Sequence, residues 1–366
     1  MSYRDADIWH MRSALNMART GLGRVAPNPS VGCVIVKDGL VIGRARTADG
    51  GRPHAETQAL AQAGKSAQGA TAFVTLEPCA HIGKTPPCAQ ALIDAGLGKV
   101  VIGTLDPDTR VSGQGISMLQ NAGIEVVTGV LDGQCRALNA GYFLAREKAR
   151  PLITLKTAST LDSKIATASG ESKWITGVAA RRFAHIERSQ HDAILVGVNT
   201  ILADNPSLTS RIEGVDHAPV RIVLDTQLRL SSQEKLFDFI DKNPVWVVTS
   251  KSKNEAQMLL KKGAEILTLP VNEDGQIDLK SLMGVLAEKG LTRVLVEGGA
   301  QVATGFLKCG LFDRFLWFHS ASILGSGAYN SIQEININNL NNSIKLKFID
   351  RRILGQDMLD IYEKAQ

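Results

Sequence analysis

Apolar residues recur at helical spacing at Ile8, Met11, Leu15 and Ala18, and Gly21 and Gly23 end the run, which predicts an opening helix over 5–20. β-Rich segments follow at 31–36, 71–76, 100–103 and 124–128, with helical patterns between them at 54–63, 88–95 and 113–122. This alternation predicts an α/β/α layered domain. A helical stretch at 132–146 then runs into Arg146, Glu147, Lys148 and Arg150 before Pro151, a domain boundary by its charge and its proline. Strand-like segments resume at 152–157, 193–196, 221–224, 245–248, 294–296 and 314–318. Amphipathic runs at 178–188, 254–262, 279–288 and 302–307 would cover the faces of a second sheet. Two domains are expected, 1–148 and 149–366, with the Asn-rich segment 336–342 as a polar surface loop.

Composition narrows the class. A chain of 366 residues exceeds what one ordinary core organises, and 44% hydrophobic with 21% charged residues excludes a disordered or fibrous chain. The longest apolar runs fall far short of the roughly 20 residues that span a bilayer, and the first residues lack the basic start and apolar stretch of a secretory signal. Five cysteines, an odd number, argue for a reducing compartment, so a cytoplasmic protein is expected. The balance of 41 basic against 36 acidic residues, +5 overall, is diffuse and suits a phosphorylated small molecule without demanding nucleic acid or a membrane.

Candidate chemistry begins at His54-Ala-Glu56, which opens a predicted helix, and continues at Cys79 after a strand and Cys88 at the next helix start. Two thiolates and an imidazole suit tetrahedral zinc, and three protein ligands leave the fourth position to water, as in catalytic sites. Glu56, two residues beyond the proposed ligand, is placed to take a proton from water and pass it to a leaving amine. H-x-E followed by Pro-Cys and a further Cys resembles the zinc-deaminase signature, with eight residues between Cys79 and Cys88 in place of two. Taken singly, each cysteine is more often a small buried hydrophobe, and a structural zinc site remains a rival in which His81 would be the fourth ligand. Cys33, Cys135 and Cys309 are expected to be core or surface thiols.

The segments 27–36 (PNPSVGCVIV), 53–56 (PHAE) and 75–88 (TLEPCAHIGKTPPC) together resemble the deaminase half of the bifunctional riboflavin-biosynthesis deaminase/reductase family. That resemblance implies a cytidine-deaminase-like fold, zinc on His54, Cys79 and Cys88, catalysis by Glu56, and a substrate pocket with Asn28, His81 and Lys84. The family usually has a histidine seven residues before the zinc-binding one; here it is Thr47, near Arg44 and Arg46, either of which could serve as an anion contact.

In the second half no strand-to-helix turn supplies G-x-G-x-x-G, so an ordinary Rossmann half is disfavoured. The run Val294 to Ala300 (VLVEGGA) instead leads small residues into a helix, where exposed amides could take a phosphate. Hydroxyls and arginines in 169–176, at Arg188 and in 199–211 could clamp a phosphomonoester. With 154–166 these segments resemble the reductase half of the same family, which implies a dihydrofolate-reductase-like α/β domain using NADPH. The resemblance places cofactor contacts at Ala158, Trp174, Thr200, Asp204, Gly299, Ala300, Gln301, Val302, Ala303, Thr304 and Gly305. It places the substrate's ribosyl phosphate and pyrimidine against Ser172, Arg188, Leu208, Arg211 and Glu297. Ser163 stands where the family has a glycine and Asn205 where it has an aspartate.

The implied activity is hydrolytic deamination of 2,5-diamino-6-(5-phosphoribosylamino)pyrimidin-4-one, then reduction of the ribosyl side chain to give 5-amino-6-(5-phosphoribitylamino)uracil. A nucleoside or tRNA deaminase with an unrelated appendage would prefer Cys-x-x-Cys and a basic face, and a zinc-stabilised RNA-binding protein would need more than 5% aromatic residues. A homo-oligomeric state is compatible with this sequence.

Overall fold

The computed structural model describes residues 5–80, 86–108, 112–215 and 217–365, and the chain divides into two units, Met1–Arg150 and Pro151–Gln366. Each has its own sheet and its own core.

In the first unit α1 (Asp5–Arg19) precedes a hairpin of β1 (Gly32–Lys37) and β2 (Leu40–Arg46). Asp38 and Gly39 close it with φ of 49° and 77°, the left-handed pair that a tight two-residue turn requires. Then come α2 (Ala55–Ala63), β3 (Thr71–Leu76), α3 (Cys88–Asp94), β4 (Lys99–Thr104), α4 (Gln114–Asn121) and β5 (Glu125–Thr128). The sheet order is β2-β1-β3-β4-β5; β1 runs antiparallel to both neighbours, and β3, β4 and β5 are parallel. Alternation along β1 assigns the faces: Cys33 and Ile35 join Ala55, Ala59 and Leu92 on one side, while Val34 and Val36 join Met11, Leu15 and Leu138 on the other. This is the expected α/β/α layering. The predicted helix over 132–146 is two helices, α5 (Asp132–Leu138) and α6 (Ala140–Lys148), parted at Asn139. The buried Asn139 side chain bonds the Ser30 backbone in both directions, a tether that one straight helix would not place there.

The second unit contains β6 (Leu152–Thr160), β7 (Lys164–Ala166), α7 (Val178–Ser189), β8 (Ala193–Gly197), α8 (Val198–Asp204), β9 (Val220–Leu224) and β10 (Val245–Thr249). It continues with α9 (Gln257–Lys261), β11 (Glu265–Thr268), α10 (Leu279–Glu288), β12 (Arg293–Val296), α11 (Ala300–Cys309), β13 (Arg314–Ser320), β14 (Tyr329–Asn330), β15 (Leu346–Leu354) and β16 (Asp357–Lys364). Nine strands form one sheet, β11-β10-β9-β8-β12-β6-β13-β16-β15, parallel as far as β13 and antiparallel at β16 and β15, while β7 and β14 pair separately. Along β8, Ala193 and Leu195 enter one core and Ile194 and Val196 the other, as a strand covered on both faces must. The helix expected over 254–262 is only Gln257–Lys261. Ser163 has φ 62°, the left-handed region, which explains physically why a glycine suits that position.

Helices approach the first sheet at glycines. A Cβ on Gly32 would lie 1.9 Å from the Ala14 carbonyl oxygen of α1, and one on Gly43 would lie 2.2 Å from the Ala59 carbonyl oxygen of α2. Neither contact can relax without moving a helix backbone. Gly32→Ala should therefore destabilise the first unit by about 3 kcal/mol. Gly133→Ala, in α5 with open space around it, should stabilise by up to about 1 kcal/mol. Urea unfolding of both variants measures the opposite signs.

Candidate functional site

His54 is the N-cap of α2, extended at φ −70° and ψ 160°, and Cys88 is the first residue of α3 behind Pro87. Cys79 lies just past β3 and accepts the Cys88 backbone amide on its Sγ at 3.3 Å. The three ligand atoms lie within 4.8 Å of one another: His54 Nδ1 is 3.2 Å from Cys88 Sγ and 3.7 Å from Cys79 Sγ. A tetrahedral zinc with ordinary bond lengths sets N and S ligands roughly 3.5 to 3.8 Å apart. The donor set and its spacing fit that ion.

The electrostatics fit it too. Cys79 is pulled down to about 4, first by the hydrogen bond from the Cys88 thiol and then, against burial, by His54 and the Cys88 amide. Cys88, sharing that proton, is raised. His54 is raised first by its hydrogen bond with Cys79. Glu56 is 3% exposed, and burial pushes it up to about 7 against the pull of His54. Its Oε2 is buried with no hydrogen-bond partner, an acceptor left for something outside the protein.

Glu77, which sequence reasoning passed over, holds the metal-side loop. Its buried carboxylate accepts the amides of Gly113 at 3.1 Å, Gly115 at 3.2 Å and Asp106 at 3.4 Å. Gly115 sits so close to Pro78 that a Cβ there would meet the Pro78 carbonyl oxygen at 2.1 Å. An acid at a strand end beside Pro78-Cys79 was the available signal. Asn28 donates to the Gly51 carbonyl at 3.1 Å, next to the loop that delivers His54. Thr47 is buried and accepts the Val31 amide at 2.9 Å while contacting the Pro29 carbonyl at 3.1 Å, so it anchors the 29–31 segment. His81 and Lys84 lie outside the described residues.

In the second unit a cavity of about 1470 Å³ opens at the carboxyl ends of β8, β9 and β12, larger than an ordinary small-ligand cleft. Ala158, Ser172, Thr200, Asp204, Glu297, Gly299, Ala300, Gln301, Val302, Thr304 and Gly305 line it. A Cβ on Gly298 would fall 2.5 Å from Val196 Cα, Gly299 has φ 34°, and no side chain caps the start of α11. The open amides there fit the phosphates of a dinucleotide. Trp174, Ala303, Arg188, Leu208 and Arg211 are not on the cavity wall. Trp174 is exposed with the Arg181 guanidinium 4.3 Å from its ring, while Ala303 and Leu208 are core residues. Arg211 bonds Ser207 Oγ at 2.8 Å. Arg188 grips Glu297 through Nε at 2.5 Å and Nη2 at 2.8 Å, and Lys156 Nζ stands 3.8 Å from the same carboxylate.

The residues 151–359 match the family described as RibD C-terminal domain, and 4–104 match the cytidine and deoxycytidylate deaminase zinc-binding region. Fold and site thus define a class: a zinc-type deaminase region joined to a reductase domain of the dihydrofolate-reductase-like kind. The riboflavin biosynthesis protein RibD of Aquifex aeolicus is 42% identical over 99% of both chains. A solved RibD from Acinetobacter baumannii superposes with TM-score 0.89 at 36% identity, covering 99% of each chain. A diaminohydroxyphosphoribosylaminopyrimidine deaminase/5-amino-6-(5-phosphoribosylamino)uracil reductase from Thermotoga maritima gives 0.88 at 35%, covering 98% of this chain and 99% of its own. The chain belongs to the RibD family. It is a bifunctional deaminase and reductase of riboflavin biosynthesis, using zinc and NADPH.

Glu297 yields a pH prediction. Burial opposes its charge, but Arg188 and then Lys156 and His185 win and hold the carboxyl at about 2. Held lower in the folded chain than unfolded, it contributes stability fully above the ordinary carboxylate value of about 4.3, lost as pH falls through about 2. Glu297→Gln should cost about 3 kcal/mol at pH 7 by stranding Arg188, and should remove the part of acid unfolding between those pH values. Thermal unfolding as a function of pH distinguishes the two chains.

Proposed function

We propose that residues 1–148 carry out the deamination and 149–366 the reduction, on a phosphorylated pyrimidine, in the cytoplasm. The substrate would be 2,5-diamino-6-(5-phosphoribosylamino)pyrimidin-4-one and the final product 5-amino-6-(5-phosphoribitylamino)uracil. The odd count of five cysteines supports a reducing compartment. Among the described residues no helix is long and apolar enough to cross a membrane.

His54, Cys79 and Cys88 would hold zinc, which when bound activates water for attack on the amine-bearing C2 of the ring. The observation that carries this reading is the unpartnered Glu56 Oε2 beside those ligands. From there Glu56 takes a proton from the attacking water and delivers it to the departing nitrogen, so that ammonia leaves and a carbonyl remains. Asn28, His81 and Lys84 would hold the pyrimidine and its phosphate.

NADPH, when bound, supplies a hydride to the ribosyl carbon. The Gly299 to Gly305 segment, through the free amides at its start, would with Thr200 and Asp204 hold its phosphates and ribose, and Ala158 and Trp174 its rings. Ser172, Arg188, Leu208, Arg211 and Glu297 would fix the ribosyl phosphate and pyrimidine, so the protein's main contribution is orientation. Arg188 is held by Glu297 with its Nη1 on the Thr209 carbonyl at 3.0 Å, which sets the guanidinium in one plane before substrate arrives.

Incubation with the diaminopyrimidine phosphate, following ammonia and the loss of NADPH absorbance, tests the division of labour. Glu56→Gln should retain zinc, cut ammonia release by about 100-fold to 10,000-fold, and leave reduction of the deaminated substrate intact. Cys88→Ser should lose zinc as well as ammonia release. A folded Glu56→Gln protein in which both activities fall together contradicts the assignment.

A further inference from the structure

At the carboxyl end of β9 an acid is turned away and a cation is turned outward. Asp225 is fully buried, and its oxygens accept the backbone amides of Arg229 at 3.0 Å and Leu230 at 2.8 Å. The turn closed by this capping puts Thr226, Gln227 and Arg229 on the wall of the cavity, whereas Asp225 does not reach it. Arg229 is exposed, and its Nη2 donates to Asn199 Oδ1 at 2.7 Å. Among the described residues no ion pair engages Arg229, and the residue lines the cavity.

Asn199 adjoins Thr200, whose Oγ1 is 3.5 Å from where a Cβ on Gly299 would sit. Arg229, Asn199, Thr200 and the Gly299 turn therefore make one continuous rim. A dinucleotide whose pyrophosphate lay on the open amides of α11 would have its adenosine ribose one linkage away, toward that rim. In Rossmann sites a strand-end carboxylate takes a free 2′-hydroxyl and an arginine takes a 2′-phosphate; this fold differs, but a carboxylate repels a phosphate and a guanidinium attracts it in any fold. Here backbone amides consume the strand-end carboxylate, and the arginine remains. Lys280 and Lys308 also line the cavity, but as point charges on α10 and α11 without a side chain that orients them. The guanidinium fork, held by Asn199, matches two phosphate oxygens.

We propose that Arg229 binds the 2′-phosphate of NADPH and is the residue through which this chain prefers NADPH to NADH, with Asp225 as the positioning residue that presents it. The inference rests on the reading of this cavity as the cofactor site.

Calorimetric titration of the full chain with NADPH, NADH, 2′,5′-ADP and 5′-ADP tests it without turnover. Arg229→Gln should weaken NADPH and 2′,5′-ADP by about tenfold to a hundredfold while NADH and 5′-ADP stay within about twofold, and Arg229→Lys should recover part of the loss. The wild-type preference should also shrink as salt rises. An unchanged preference in a folded Arg229→Gln protein, or a preference that collapses in Lys280→Gln instead, overturns the proposal. No NADPH binding by the wild type would overturn the reading of the cavity and the proposal together, whereas intact NADPH binding with unaltered preference overturns the proposal alone.

Discussion

A tetrahedral ion tolerates only small errors in the placement of its ligands, and in the first unit those ligands come from three separate segments. Backbone geometry has to supply the precision. His54 is fixed because it is the N-cap of a helix packed against Gly43 of β2, with no Cβ to hold the two apart. Cys88 is fixed as the first helical residue after a proline, and its amide donates to the sulfur of Cys79. Cys79 itself hangs from a strand end whose next anchor is Glu77, clamped by amides from a neighbouring loop. Packing and capping thus place the three ligating atoms, and the thiol of Cys79 is pulled down by its hydrogen bonds with Cys88 and His54.

The second unit solves a different problem, that of holding charge in a deep cleft. Glu297 at the end of β12 gathers Arg188 from α7 and Lys156 from β6, so three charged groups from three elements share one centre. Lys156 is lowered by burial, in spite of Glu297, so the carboxylate serves Arg188 foremost. Directly after Glu297 the chain turns through Gly298, which touches the Val196 backbone, into the open start of α11. A single strand end therefore delivers both the ionic centre and the amide cradle, which is why the cleft forms at the carboxyl ends of the parallel strands.

Much of this was legible in the sequence because local rules coincide with tertiary need. The helical spacing of Met11 and Leu15 marks α1 and its buried face, while the proline before Cys88 and the glycines before Ala300 each mark one element end and one site component. The β1–β2 hairpin was passed over although Asp38-Gly39 announces it, since β2 is half exposed and its apolar pattern is thin. The hairpin of β15 and β16 was passed over for the same reason: β15 is an exposed edge carrying Asp350, Arg351 and Arg352, so burial leaves no alternation to read. The break at Asn139 depends on a bond to Ser30, far away in sequence, which no local window contains. Thr47 is similar: its hydroxyl serves the Val31 backbone, a structural duty visible only once the strands are paired.

What local pattern could not convey is which acids are spent on the fold. Glu77, Asp192 and Asp225 are all buried, and each accepts backbone amides: Glu77 those of Gly113 and Gly115 in a neighbouring loop, Asp192 those of Thr292 and Arg293, and Asp225 those of Arg229 and Leu230 in its own turn. Such carboxylates are neutralised in effect by oriented N–H dipoles, and they shape loops without offering reactivity. Against that background Glu56 is the exception, for among the described residues its Oε2 is the buried carboxylate oxygen left without a partner. An unsatisfied buried acceptor costs folding energy, and for this carboxylate the cost falls beside the three metal-ligating atoms. The separation of structural from reactive acids is therefore made by hydrogen-bond partners contributed from distant segments, and it sets Glu56 apart without reference to any motif.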